Sequence, residues 1–193
     1  MNDQILWFAT RGAGIVSLLL FTGVTCLGVL AVLRWQSASW PRFLTVEFHR
    51  NLALLSVGFL AIHIVTAIVD PFTSLGVLAA AIPFASGYRP LWVGLGTVAL
   101  DLLIALVVTS LLRARIGQRS WRAVHWLAYG AWPLAVAHGI GTGTDTAAWW
   151  MRAIDLACIA AIALAITWRL AAGRSDRSRL LDVVRADIRP TEA

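Results

Sequence analysis

Lysine is absent from this chain of 193 residues, cysteine occurs twice, histidine four times, and charged residues make up only 13%. A soluble domain carries about a quarter charged residues, so the shortage of charge excludes an ordinary water-soluble fold. The 59% of hydrophobic residues gather in long uninterrupted blocks, as in an integral membrane protein, and nothing suggests a second, soluble domain. Because lysine is missing, the net charge of +6 is carried entirely by 16 arginines. They flank the apolar blocks instead of forming a patch, which argues for membrane topology and against nucleic acid. Cys26 and Cys158 lie in separate apolar runs and read as small core residues. The start, Met1-Asn2-Asp3-Gln4, has no positive stretch, so no cleavable signal peptide is expected.

Five spanning helices are predicted, near 12–33, 48–69, 91–112, 121–140 and 150–171. The fourth is the least apolar. The run 76–82 is too short to span and is broken by Pro83, which predicts an interfacial or re-entrant segment. Trp7, Trp35, Trp40, Trp92, Trp121, Trp149, Trp150 and Trp168 fall near predicted helix ends, as an aromatic belt would. Arg11, Arg89 and Arg152 lie on one side of this arrangement and the remaining 13 arginines on the other. The positive-inside rule then places the N-terminus outside and the C-terminus in the cytoplasm, and five crossings agree. Residues 1–172 thus form one membrane domain, followed by a charged cytoplasmic tail at 173–193. In the tail, Leu180, Leu181, Val184 and Ile188 suit one face of a short surface helix.

The four histidines form two matched pairs: His49 and His63 on the second helix, His125 and His138 on the fourth. At about 1.5 Å per residue each pair spans roughly 20 Å, so each of two levels receives one histidine from each helix. That pattern suits bis-imidazole ligation of one haem per level, with His49/His125 and His63/His138 as the iron ligands. No C-x-x-C-H occurs, so such haems would be b-type. Fourteen residues bring His49 and His63 to one face, about 40° short of four turns, whereas 13 residues leave His125 and His138 about 140° apart. Pro133 lies between the latter two, and local rewinding there is one way to restore the phase. A histidine in a membrane helix is commonly a bond between helices, but two matched pairs with none elsewhere favour a shared role.

The segment from His49-Arg50 to Ile62-His63, with Trp121-Arg122-Ala123-Val124-His125 and Tyr129 through His138, resembles the ferric reductase-like transmembrane domain. That family includes ferric reductases, NADPH oxidases and bacterial stand-alone haem b membrane subunits. The resemblance covers roughly residues 10–172. It implies an all-α bundle in which these four histidines ligate two b haems that carry electrons across the membrane. The oxidases and eukaryotic reductases add a flavin–NADPH module; this chain shows no such segment, so no flavin is expected within it. The resemblance implies an oxidoreductase-type subunit in a bacterial inner membrane, surrounded by lipid. Its donor would be a separate flavoprotein reductase or a quinol, and its extracytoplasmic acceptor ferric iron, oxygen or a partner redox protein.

Other residues have two readings each. Arg50 and Arg122 adjoin the cytoplasmic ligands and suit haem propionates, or serve only as positive-inside anchors. Arg89 and Arg152 could act similarly at the outer level. Arg11 opens the first helix beside small residues that permit close approach. Asp101, mid-helix, is costly in lipid unless paired or protonated; it would receive a ligand histidine's second proton or pair with an arginine. Phe59 and Trp132 lie between the levels, as bridging aromatics or plain core. The loop 139–146, rich in glycine and threonine, matches no nucleotide motif and reads as a flexible connector. An alternative function is a small proton or metal-ion transporter using the histidines and Asp101; a purely structural subunit is a third.

Overall fold

The computed structural model describes residues 2–33, 37, 39–71 and 75–187, with side chains from 4 to 173 within those ranges. Arg34, Trp35 and Ile188 therefore lie outside the described residues. The described chain is helical: α1 (Asn2–Val32), α2 (Arg42–Val69), α3 (Val77–Ala81), α4 (Pro90–Leu111), α5 (Arg113–His125), α6 (Ala128–Thr142) and α7 (Trp149–Asp187). Four are long and apolar enough to cross a membrane: Gln4–Val32, Arg42–Val69, Pro90–Leu111 and Trp149–Gly173. Their outward faces carry large apolar side chains such as Leu54, Val65, Ile104 and Leu164, each more than half exposed. In water such faces would aggregate; against lipid they are ordinary.

Local chemistry sets the ends. Pro90 opens α4, where a missing N–H costs nothing. Pro41 precedes α2, and Trp40 Nε1 donates to Thr45 Oγ1 at 3.0 Å, closing the first turn over a fully buried Thr45. The predicted re-entrant run is a single short helix, α3, held by a 2.8 Å bond from Thr97 Oγ1 to Ala79 O.

The predicted fourth helix, 121–140, is not one helix. Its first residues belong to α5, itself broken at Gly117 (φ 79°), and α6 begins only at Ala128. Between them the backbone tightens to i→i+3 bonds: Leu127 N to Val124 O, Tyr129 N to Trp126 O and Gly130 N to Leu127 O, at 2.9–3.1 Å. Such turns advance about 120° per residue instead of 100°, and so recover much of the phase separating His125 from His138. The rewinding lies just before Pro133, whose absent N–H leaves the Tyr129 carbonyl without its helical partner. Arg169 of α7 clamps the tightened turn, standing 4.7 Å over the Trp126 ring and donating to the Tyr129 hydroxyl. Together α5 and α6 run antiparallel along the full length of α4. Trp121 bonds Ser110 at one end and His138 meets Trp92 at the other.

The helix α1 is the hub, touching α2, α6 and α7. The core joins Phe21 of α1, Ala131, Trp132 and Val136 of α6, and Cys158 and Ile162 of α7. Trp132 Nε1 donates to Thr22 Oγ1 at 3.0 Å. The surface helix expected of the tail is not separate, because α7 continues unbroken to Asp187. Replacing Trp132 with alanine should remove both packing and this bond, and is expected to destabilise the bundle by about 3–5 kcal/mol. Trp132→Phe loses chiefly the bond, about 1 kcal/mol. Thermal unfolding in detergent would rank the two.

Candidate functional site

The four histidines converge in two pairs across the bundle. The rings of His49 and His125 lie 6.2 Å apart between centroids, inclined at 64°; those of His63 and His138 lie 6.2 Å apart at 81°. Two imidazoles on opposite sides of one metal need about 2.0 Å for each metal–nitrogen bond and about 1.1 Å from nitrogen to centroid, roughly 6.2 Å in all. Each level therefore has a spacing at which both imidazoles could bind one metal ion. Among the described residues no group of three or more His, Cys, Asp or Glu side chains gathers into a metal cage.

Three of the rings are oriented by the backbone of a neighbouring helix. His63 Nδ1 lies 2.8 Å from Thr10 O, His49 Nδ1 2.9 Å from Val24 O, and His138 Nδ1 2.9 Å from Trp92 O. A carbonyl only accepts, so Nδ1 carries the proton and Nε2 keeps its lone pair, the form a metal ligand requires. In each case a glycine follows the accepting carbonyl by one turn. A Cβ on Gly14 would lie 3.0 Å from the His63 ring, one on Gly28 3.4 Å from His49, and one on Gly96 2.4 Å from His138 Nδ1. At Gly96 a methyl group would clash and at Gly14 it would crowd the ring, whereas at Gly28 it would only touch it. On α1 the two carbonyl–glycine clasps repeat after 14 residues, the spacing of the histidines they hold. Sequence reasoning missed this match, although Gly14 and Gly28 carry it openly.

His125 differs. Its Nδ1 is buried with no hydrogen-bond partner. The ring stacks on Trp121 (4.8 Å, 28°), and the Arg113 guanidinium stands 4.4 Å over the Trp121 ring.

A cavity of about 290 Å³ opens around His63 and His138, bounded by Thr10, Arg11, Phe21 and Tyr88 among others. Thr10 Oγ1 is buried there without a hydrogen-bond partner. Arg11 forms an ion pair with Asp145 and donates to Thr144. The connector expected to be flexible is thus fastened to α1. Arg89 reinforces it through Gly141 O at 2.5 Å, and Arg152 through Thr146 O at 3.1 Å. Arg50 and Arg122 are exposed. Asp101 is also exposed, and three of the four histidines give their ring proton to main-chain carbonyls instead. Of the aromatics between the levels, Trp132 is buried in the core, whereas Phe59 does not line the cavity and Phe21 does. Phe21 stands midway between Gly14 and Gly28, on their face of α1.

Gly96→Ala places a methyl group against His138 and is expected to break its bond to Trp92 O. Histidine ¹⁵N spectra should then lose the signature of Nδ1 protonation for that ring. Gly12→Ala, whose methyl meets nothing within 4 Å, should leave all four rings as they are.

A family model described as ferric reductase like transmembrane component matches residues 13–136, more than half of the chain. The match takes in Gly14, Gly28, His49, His63, Gly96 and His125, and His138 follows two residues beyond it. No curated protein and no solved structure matches. With that match, and with the paired imidazoles in place, the chain belongs to the ferric reductase-like transmembrane component family.

Proposed function

We propose that this chain is the electron-carrying membrane core of a ferric reductase-like system, holding two b haems one above the other. The observation that carries this reading is the pair of imidazole couples, each at 6.2 Å. Bound haem supplies the one-electron chemistry of its iron; the chain supplies ligation, spacing and exclusion of water. His49 and His125 would hold one haem, His63 and His138 the other, each through Nε2. The backbone carbonyls of Val24, Thr10 and Trp92 fix the protonated nitrogen of three ligands on the far side.

Acidic groups of the cofactor need cationic and hydroxyl partners. At the His63 level Arg11 and Thr10 answer this better than Arg89 or Arg152, because both line the cavity and Thr10 Oγ1 has no other partner. At the His49 level Arg50 and Arg122 are the available cations. Phe21 and Trp132 keep the space between the levels dry and aromatic. The levels stand about 21 Å apart, 14 residues of helix.

The excess of arginine after α1 and α4 and along the last part of α7 favours the cytoplasm for the His49–His125 level. Electrons would then arrive there from a separate flavoprotein or a membrane quinol. They would leave at the His63–His138 level to an extracytoplasmic acceptor such as ferric iron or a partner redox protein.

The test is a dithionite-reduced-minus-oxidised spectrum of the purified protein, with haem per chain counted as the pyridine haemochrome. Two low-spin b haems are expected, and His63→Ala or His138→Ala should each leave one. A protein without haem, even after reconstitution, would overturn the reading.

A further inference from the structure

Three histidines share one device, and the fourth site carries the same device altered. On α4 the clasp of His138 consists of Trp92 O and Gly96. Thirteen residues back along the antiparallel chain stands His125; thirteen forward along α4 stand Ala105 and Thr109. The register holds between these points, since Gly130 faces Leu102 and Trp121 meets Ser110. Thr109 thus occupies the glycine place of the fourth clasp. Its hydroxyl donates to Ala105 O at 2.6 Å, with a longer bond of 3.3 Å to Leu106 O. In this register the carbonyl that answers to Trp92 O already accepts the Thr109 hydroxyl, and a branched side chain stands at the position where the other clasps have glycine. The outcome is seen at His125 itself, whose buried Nδ1 finds no partner.

We propose that Thr109 makes His125 the exchangeable ligand of the four, so that the His49–His125 level admits a small external iron ligand and the His63–His138 level does not. This inference rests on the two-haem reading above. A hydrogen bond from Nδ1–H to a carbonyl raises the basicity of Nε2 and holds the ring in place, and losing such a partner commonly weakens metal binding by about 10- to 100-fold. His125 keeps only the face of Trp121, itself covered by Arg113. Stacking fixes the plane of the ring but leaves it free to slide within that plane, away from the metal. Carbon monoxide, a small neutral π-accepting ligand of ferrous haem, is the probe suited to such an exchangeable position. Thr109 is a positioning residue and touches no reacting atom.

Carbon monoxide titration of the dithionite-reduced protein tests this, with haem counted in the same sample. The wild type is expected to bind one carbon monoxide per two haems. Thr109→Gly should restore the fourth clasp and weaken that binding at least tenfold, while Thr109→Ser, which keeps the hydroxyl, should behave as wild type. Histidine ¹⁵N spectra of the haem-free protein give a second reading, independent of ligand loading. They should show Nδ1 protonation fixed at three rings in the wild type and at all four in Thr109→Gly. Two haems per chain with no carbon monoxide bound, or with Thr109→Gly unchanged in both measurements, would overturn this inference alone. A chain that binds no haem would overturn the two-haem reading together with it.

Discussion

A ring proton given to a main-chain carbonyl of the next helix is the interaction on which this bundle's arrangement rests. It is made three times, by His49, His63 and His138. Each bond satisfies a polar group that would otherwise be stranded in an apolar interior, where an unmade hydrogen bond costs about 1–3 kcal/mol. Each also leaves the second nitrogen with its lone pair. To reach the carbonyl the ring must approach the helix backbone, and the glycine one turn on gives it room. These contacts join α1 to α2 and α6 to α4, and across the gap between the two helix pairs the paired imidazoles stand 6.2 Å apart.

Much of this was legible in the chain. The scarcity of charge and the apolar blocks announce a membrane bundle, and the two histidine pairs announce two levels. The division of the fourth helix was less visible, because the i→i+3 turns from Val124 to Gly130 depend on a tertiary clamp, Arg169 against Trp126 and Tyr129. The phase difference between His125 and His138 nevertheless demanded some departure from an ideal helix, and Pro133 marked its neighbourhood. The acceptors of the ring protons were hidden for a different reason: a carbonyl has no letter in the sequence. Asp101, a visible acceptor, is exposed instead. Arg11 and Phe21 were likewise obscured, since their partners, Asp145 and the cavity, are far off along the chain.

The two ends of the site differ in how they are closed. Around His63 and His138, α1, the α3–α4 region and the loop after α6 are laced together by Arg11, Arg89 and Arg152 acting on oxygen atoms of that loop. Around His49 and His125, closure is by stacking, from Arg113 through Trp121 to the imidazole. Directional hydrogen bonds hold one level in a single geometry, while aromatic faces permit sliding. The two histidine levels thus differ in stiffness although both present the same pair of side chains.

Backbone acceptors also govern how such a protein can vary over evolutionary time. No substitution deletes the carbonyl of Thr10, Val24 or Trp92, so the proton-accepting half of each clasp is beyond the reach of point mutation. Inheritable change is channelled instead into the small residue one turn away, where glycine opens the approach and a hydroxylated side chain shuts it. Lineages could therefore retune each level separately by exchanging a single side chain at 14, 28, 96 or 109, while all four histidines stay as they are.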